Sequence, residues 1–306
     1  MAEEKREEGQ VPENDGQNVE KKKGKQLPKW ARRLIVVVLS FVVFVSAVLG
    51  VLQLGVVYTE RSWKYWSPNY EKTDILPILQ KESLTEEDYQ TVYRQTGLTR
   101  LGLDGLLQQR NYNQVLQIQE YYFQKHEVTS EYFNPFTYLE TLDEFATFGA
   151  VEDGDIIVSA TTRVSWFRYG HAALVVDGKN GVLVESTMPG QKSGFNDINS
   201  FAYLANFLIL RPKVDAETKA NVVAFAKEKL VGLPYQMTTG IFTKKYAPGK
   251  EIKTTHCAHL VWSAYRKFGI DLDSNGGLVV KPQDMALSNK VELVQTFGFD
   301  PDRLWS

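Results

Sequence analysis

The sequence predicts an α+β protein in which a small antiparallel sheet packs on a helix that begins near Cys257. A membrane-spanning helix and a helical segment are predicted to precede this domain. Three observations support the prediction: residues 34–58 carry no charge, short apolar runs concentrate between residues 156 and 210, and helical periodicity flanks those runs. Strands grouped between helices are typical of an α+β domain, whereas a parallel sheet would alternate strands with helices.

The apolar segment 34–58 is predicted to be a single transmembrane helix. At about 1.5 Å per residue it exceeds the ~30 Å of hydrocarbon in a bilayer. A cleaved signal peptide is disfavoured because its apolar region is shorter, about 7–15 residues. Interfacial aromatic anchors are predicted at Trp30, Tyr58, Trp63, Tyr65 and Trp66.

The residues before this helix are polar and predicted to form a disordered cytoplasmic tail, 1–33. Seven basic and no acidic side chains lie between Lys21 and Arg33. Because basic residues concentrate on the cytoplasmic side, the remainder of the chain is expected outside the cell, attached to the membrane through residues 34–58.

Residues 59–148 are predicted to form a juxtamembrane stretch followed by helices. Ser83 or Thr85 is the predicted N-cap of the first helix because acidic residues follow it. Apolar residues then recur at helical spacing over 82–128, interrupted by two glycines. The pattern leaves open whether this segment is a spacer, a lid or a surface for a partner.

Residues 149–306 are predicted to form the main domain. Strands are predicted at 156–158, 171–176, 182–186 and 207–210. The second and third strands flank a five-residue turn signal, which is typical of a hairpin. Helices are predicted at 215–231 and 255–268, the second with basic residues in its last turn and Gly269 after it.

The composition excludes some classes of function. The chain has 35 basic and 37 acidic residues and a net charge of −2, whereas bulk nucleic-acid binding requires a strongly basic domain. No Gly-rich phosphate loop is present, and we predict no cofactor.

Cys257 is the only cysteine, so it cannot form a disulfide within the chain. Outside the cytosol an unpaired thiol is prone to oxidation, which favours a chemical use. A small buried apolar residue is the alternative. With Thr254 or Thr255 as N-cap, the thiol would face unpaired backbone N–H groups and the positive end of the helix dipole. Both favour the thiolate, and the N–H groups can receive an oxyanion.

A thiol nucleophile needs a base, usually a histidine that a third polar group orients. His171 begins the predicted hairpin, and pairing Val176 with Val182 places Glu185 diagonally across the ladder on the same face. A one-residue slip would put the two side chains on opposite faces. His171 is therefore the candidate base and Glu185 its candidate partner. A strand-end histidine bonded to backbone is the alternative.

The other histidines fit the role of base less well. His256 and His259 diverge from Cys257 on a regular helix, and His126 has no motif around it. For the same geometric reason, His256, Cys257 and His259 cannot bind one zinc ion from a regular helix, and no metal site is predicted. His256 is predicted to contact substrate.

Several short motifs occur in a characteristic order: Gly154-Asp155-Ile156, His171-Ala-Ala-Leu-Val-Val, Val182-Leu-Val-Glu185, Gly232-Leu-Pro-Tyr235 and His256-Cys257-Ala-His-Leu-Val-Trp-Ser-Ala-Tyr265. This order resembles that of the permuted NlpC-type papain-like hydrolases, the YiiX-like group, in which the histidine strand precedes the cysteine helix. The resemblance covers about residues 150–290. The stretch from Gln95 to Leu101 also resembles a leader found in membrane-anchored relatives from Gram-positive bacteria.

The resemblance implies a permuted papain-like fold and assigns roles by position. Cys257 is similar to the nucleophile, His171 to the base, Glu185 to the residue that orients it, and Tyr235 to a tyrosine that lines the site. Ala258 and Gln236 depart from the usual pattern, which has a small or acidic polar residue after the cysteine and an Asp after the tyrosine.

We therefore expect a cysteine hydrolase of the amidase or peptidase type that acts on cell-wall peptide amides. Two alternatives remain: a lipid-directed acyl hydrolase or acyltransferase, and a catalytically inactive module that binds the wall or membrane. The expected partner is accordingly a cell-wall peptide or a lipid, and not nucleic acid.

Overall fold

The computed structural model describes residues 27–62, 65–132, 134, 136–164 and 167–305. Residues 1–26 of the predicted tail lie outside the described residues, as does the predicted interfacial Trp63. The chain divides into two compact units, Met1–Val51 and Leu52–Ser306.

Helix α1 (Lys29–Ser62) confirms the apolar helix near the N-terminus and is longer than predicted. Residues 29–33, assigned above to the disordered tail, are helical because the basic side chains do not interrupt the apolar pattern that follows. The part Lys29–Tyr58 is long and apolar enough to cross a membrane, with a mean hydropathy of 3.0. Length and composition fit an anchor or a signal sequence equally.

Four helices follow among the described residues: α2 (Leu76–Leu79), α3 (Glu86–Thr96), α4 (Arg100–Gln108) and α5 (Tyr112–Phe123). Thr85, and not Ser83, is the N-cap of α3: its hydroxyl accepts from the Asp88 N–H, and the Asp88 carboxylate accepts in return from the Thr85 N–H. Gly97 ends α3 with φ +74°, but Gly102 lies within α4, so only one of the two glycines interrupts the helical pattern.

The strands and the remaining helices follow in chain order. The strands are β1 (Val128–Ser130), β2 (Phe136–Tyr138), β3 (Glu140–Leu142), β4 (Ile156–Ser159), β5 (Thr162–Val164), β6 (Phe167–Arg168), β7 (His171–Asp177), β8 (Val182–Glu185), β9 (Gly194–Asp197), β10 (Phe207–Pro212) and β11 (Val291–Phe297). The helices are α6 (Asn199–Ala202), α7 (Ala216–Lys229), α8 (Cys257–Arg266) and α9 (Pro282–Ala286).

The central sheet has six strands in the order β11-β10-β4-β7-β8-β9, and every neighbouring pair is antiparallel. This confirms the α+β class and the antiparallel sheet. Strands β1 to β3 were not expected, because they lie in the stretch assigned above to the helical segment. They join two small sheets, β1-β3 and β2-β5-β6.

The two faces of the central sheet bury different helices, as the alternation of side chains along a strand requires. On one face Ile156 and Leu174 belong to a core with Val222 of α7 and Val261 of α8. Helix α8 packs directly on β7 and β8. On the other face, Ile157, Ala173 and Val175 join a core with Tyr121 of α5 and Phe201 of α6.

The helical segment that precedes the sheet packs against its edge strand. Leu98, between α3 and α4, forms a bridge to Gln295 of β11. A Cβ atom at Gly97 would come within 2.0 Å of the Thr296 carbonyl oxygen, so only glycine permits this approach. The predicted boundary between residues 148 and 149 therefore does not separate two bodies, and the segment is not a spacer.

Helix α8 begins later than predicted and is more deeply buried. Its N-cap is His256, and not Thr254 or Thr255. Every residue from Cys257 to Tyr265 is buried, because helices α7 and α9 and the sheet pack around α8. Phe268, predicted helical, lies beyond the end of α8 and is 38% exposed.

Candidate active site

Cys257 is the first residue of α8 and is only 3% exposed. Its position at N1 leaves its backbone N–H, and that of Ala258, without an acceptor inside the helix. These two N–H groups are the donors from which an oxyanion site beside the thiol can be built.

His171 and Glu185 meet across the β7–β8 hairpin. Leu174 pairs with Val184, so Glu185 lies diagonally opposite His171 on the same face, as predicted. The His171 Nε2–H donates to Glu185 Oε2 at 2.6 Å. The predicted pairing of Val176 with Val182 is wrong, because a register shift near the turn pairs Val182 with Asp177 instead. Leu174 and Val175 keep the predicted register, so the contact of His171 with Glu185 is unaffected.

The backbone before His171 requires glycine. Gly170 has φ +90°, and a Cβ atom there would come within 2.7 Å of the Ser159 carbonyl oxygen. Because Ser159 pairs with His171 across β4 and β7, this close approach fixes where the histidine enters the sheet.

The neighbours of His171 favour its protonated form. Burial alone would lower the pKa of this imidazole, but hydrogen bonds with the Cys257 thiol and with Glu185, together with their charges, raise the pKa to about 10. Since Nε2 is bonded to Glu185, Nδ1 is the nitrogen left to face Cys257. A thiol, an imidazole and a carboxylate are thus in contact in that order.

The carboxylate of Glu185 has a second partner. Burial acts to raise its pKa, but the hydrogen bond to His171, the charge of that imidazole and a hydrogen bond from the Asn196 amide lower the pKa. Asn196 lies diagonally across the β8–β9 ladder from Glu185. The glutamate therefore remains ionised and fixed on both oxygens.

Aromatic rings enclose the imidazole. Phe201 stacks on His171 with ring centroids 5.3 Å apart and an interplanar angle of 18°. Tyr138 contacts it edge-on, with centroids 6.3 Å apart. The pKa of Tyr138 is raised by burial and by the nearby charges of Glu185, Tyr203 and Cys257, so its phenol stays protonated.

Two further tyrosines lie beside Cys257. Burial, and then the charge of Cys257, raise the pKa of Tyr169 and of Tyr235, so both remain protonated donors at neutral pH. The Tyr169 hydroxyl donates to the Val280 carbonyl at 2.8 Å, whereas the one hydrogen bond of the Tyr235 hydroxyl among the described residues is to the Met237 sulfur at 3.4 Å. Tyr235 is therefore the donor that a substrate can recruit more easily. Its predicted position at the site agrees with this, and substrate contact stays a prediction.

His256, the other predicted substrate contact, is fully buried and caps α8. Its Nδ1 accepts from the His259 N–H at 3.4 Å, and burial lowers its pKa well below the usual range. Contact of His256 with substrate stays a prediction. His259 has separate partners: Nε2 donates to the Lys245 carbonyl at 2.9 Å, and Nδ1 lies 3.0 Å from the Thr255 hydroxyl.

The two histidines beside Cys257 consequently do not converge on a common point. Among the described residues, no group of three or more His, Cys, Asp or Glu side chains is arranged to hold a metal ion.

Some residues of the sequence motifs stabilise the fold and are not part of the candidate site. Asp155 is fully buried and receives two bonds from Arg211, Nε to Oδ1 at 2.8 Å and Nη2 to Oδ2 at 2.7 Å. The Tyr265 hydroxyl donates to the Gly154 carbonyl. These contacts tie α8 to the start of β4, so Gly154, Asp155 and Tyr265 position the helix that carries Cys257.

The structure also brings residues to the site that sequence reasoning missed: Tyr138, Tyr169, Asn196, Phe201 and Tyr203. All come from short or irregular elements without apolar periodicity. Tyr169 alone had a local signal, because it lies two residues before His171. The candidate groups are closed off from solvent, with His171 4% and Glu185 3% exposed.

Comparison with known proteins gives limited information. No family model and no solved structure matches the chain. The chain is similar to the uncharacterized protein YycO of Bacillus subtilis (strain 168), with 34% identity over 146 residues that cover 46% of this chain and 54% of that protein. The chain thus spans about half the length of this curated relative. That relative is itself uncharacterized, so the similarity carries no activity to this chain.

Proposed function

We propose that this chain is a membrane-anchored cysteine hydrolase of the permuted NlpC-type group that cleaves amide bonds outside the cytoplasm. The contact of Cys257, His171 and Glu185 carries the proposal. The apolar helix α1 supports attachment to a membrane, and the basic residues before it support an exterior catalytic domain.

The chemistry follows from the charges at the site. A protonated imidazole beside a thiol is the arrangement of a thiolate–imidazolium nucleophile. The Cys257 sulfur attacks the carbonyl carbon, and the N–H groups of Cys257 and Ala258 receive the oxyanion. His171 then donates its Nδ1 proton to the leaving nitrogen as the carbon–nitrogen bond breaks. Water, deprotonated by His171, hydrolyses the thioester and releases the acid and the free thiol.

Glu185 acts through His171. It holds the ring by Nε2, so that Nδ1 faces the sulfur, and it stabilises the positive charge during attack. The tetrahedral intermediate loses either the amine or the thiolate, and the proton from His171 favours loss of the amine.

Cell-wall peptide is the proposed substrate class, because an exterior domain tethered to the membrane lies next to the wall and the group that the motifs resemble often acts there. To test it, the purified full chain in detergent is incubated with wall fragments and, separately, with a membrane lipid extract. Cys257→Ala serves as the control. New amino groups in wall peptides that depend on Cys257 support the proposal.

The other outcomes discriminate between the alternatives. Release of fatty acid that depends on Cys257 indicates lipid acyl chemistry. Binding to wall fragments without cleavage, equal in wild type and Cys257→Ala, indicates a non-catalytic module. For the location, protease added to intact protoplasts is expected to digest the domain, whereas full protection would contradict an exterior site.

A further inference from the structure

A cavity of about 730 Å³ lies beside α8, and Cys257 is not among the residues that line it. His259 and Ser263 of α8 and Lys267, the residue that follows the helix, line the cavity; they are spaced four residues apart and share one face. At about 100° per residue, Cys257 lies about 120° around the helix from Ser263 at the centre of that face, so it does not share the face. Helix α7 and the loop from Thr239 to Thr254 form the remaining walls.

The wall of the cavity is strongly basic. It carries one acidic side chain, Glu251, and six lysines: Lys229, Lys244, Lys245, Lys250, Lys253 and Lys267. Lys229 is paired with Glu228, and Lys245 with Asp273. Within the described part of the chain the other four ammonium groups have no carboxylate partner.

A neutral histidine keeps the basic loop against α8. Burial lowers the pKa of His259 to about 4, so it adds no charge to the cavity. Its Nε2 donates to the Lys245 carbonyl at 2.9 Å, which fixes the loop next to Lys244. Lys245 itself is held by Asp273 and by the Gly277 carbonyl, so the loop is anchored at this point while Lys244, Lys250 and Lys253 remain exposed.

The chemistry of these walls selects a class of ligand. Several flexible ammonium groups around one volume suit a multiply charged, roughly spherical anion such as phosphate. A planar carboxylate is usually bound by the fork of an arginine, and no described arginine lines the cavity. Hydroxyl groups of Thr243 and Ser263 offer hydrogen bonds, and Phe225 and Ile252 give an apolar wall for an organic substituent.

We propose that this cavity is a binding site for the phosphate group of an organic phosphate ester, separate from the Cys257 site. Both a soluble glycerol phosphate and the headgroup of phosphatidylglycerol present this chemistry. The site contains none of the proposed reacting groups, so its failure and the failure of the proposed hydrolysis can be observed independently.

The test measures hydrogen–deuterium exchange of residues 240–254 in the full chain. One arm adds millimolar glycerol phosphate to the chain in phosphatidylcholine nanodiscs. The other arm replaces part of the phosphatidylcholine with phosphatidylglycerol. Slower exchange in the first arm assigns a soluble ligand, and slower exchange in the second arm alone assigns the lipid headgroup. Unchanged exchange in both arms overturns the proposal.

Matched variants separate a site from general charge attraction. The triple variant K244Q/K250Q/K253Q removes three cavity charges, and K179Q/K213Q/K290Q removes three exposed charges elsewhere. We expect the cavity variant to need about tenfold or more ligand for the same protection, with the control unchanged. An equal loss in both variants, with unchanged thermal unfolding, would show that net charge and not the cavity binds the anion.

Discussion

Two buried histidines lie near the start of helix α8, His171 on strand β7 and His259 on the helix itself, yet one imidazole is favoured as the cation and the other as the neutral form. On the Cys257 side, the pKa of His171 is raised to about 10; on the cavity side, the pKa of His259 is lowered to about 4. Burial opposes protonation in both. His171 has the carboxylate of Glu185 and the Cys257 thiol as partners, whereas His259 has the Lys245 carbonyl and the nearby Lys245 charge. Burial therefore keeps His259 neutral, and the anionic partners of His171 account for the difference between the two imidazoles.

The largest expected effect comes from exchanging each histidine for a neutral amide. His171→Gln removes the proton donor to the leaving nitrogen, and we expect hydrolysis of wall peptide to fall by about 10³-fold or more. His259→Gln keeps a hydrogen-bond donor and should retain activity within about threefold. Initial rates on the same wall preparation give the comparison, and equal losses in the two variants would contradict the assignment of His171.

The charge on His171 also predicts how stability depends on pH. Because its folded pKa lies above the unfolded value, its stabilising contribution is complete below about pH 6.5 and is lost as pH rises towards 10. The free energy of unfolding of wild type minus that of His171→Gln should therefore fall by ~2–5 kcal/mol across this window. Urea titrations at several pH values measure the difference. A difference that is constant with pH would mean that His171 is neutral in the folded protein.

A smaller effect on hydrolysis is expected from substituting Glu185, which binds His171, or Asn196, which binds Glu185. Glu185→Gln removes the negative charge that raises the pKa of His171, so hydrolysis should slow by roughly 10- to 100-fold and lose its alkaline activity first. Asn196→Ala removes one bond to Glu185 and should cost roughly two- to fivefold. The pH–rate profiles of both variants distinguish these outcomes from simple destabilisation, which would lower the rate without moving the profile.

The smallest expected effect is on hydrogen exchange in the loop beside the cavity. His259→Ala breaks the bond to the Lys245 carbonyl, and exchange of the backbone amides from 243 to 247 should become several-fold faster, equivalent to about 1 kcal/mol of local stability. His171→Gln is the matched control, because it should leave exchange in this loop unchanged. Faster loop exchange in both variants would indicate that the two sides of α8 are not independent.

The parts of this structure that sequence reasoning located are those with a local pattern. The β7–β8 hairpin was predicted because two apolar runs flank a turn, and its register then placed Glu185 beside His171. Strand β9 has the sequence Gly-Phe-Asn-Asp, which lacks alternation, so neither the strand nor Asn196 could be found. Its pairing with β8 is a tertiary effect.

The N-cap of α8 also could not be predicted from the local sequence. Threonine is a better intrinsic cap than histidine, so the sequence predicts Thr254 or Thr255 as the N-cap. The structure instead uses the Thr255 hydroxyl to contact His259 and leaves His256 as cap. Which of two neighbouring polar residues caps a helix depends on what packs around the helix, and the sequence does not contain that information locally.

The central claim is that His171 activates Cys257, and the alkylation rate of Cys257 tests it most directly. The full chain is treated with iodoacetamide at pH 6, and modification of Cys257 is followed by mass spectrometry in wild type and in His171→Gln, which leaves Cys257 in the same buried position. Thiolate is scarce in an ordinary thiol at this pH, and burial slows the reagent equally in both proteins, so the account predicts that wild type reacts about tenfold or more faster than the variant. Equal rates in the two proteins would contradict it.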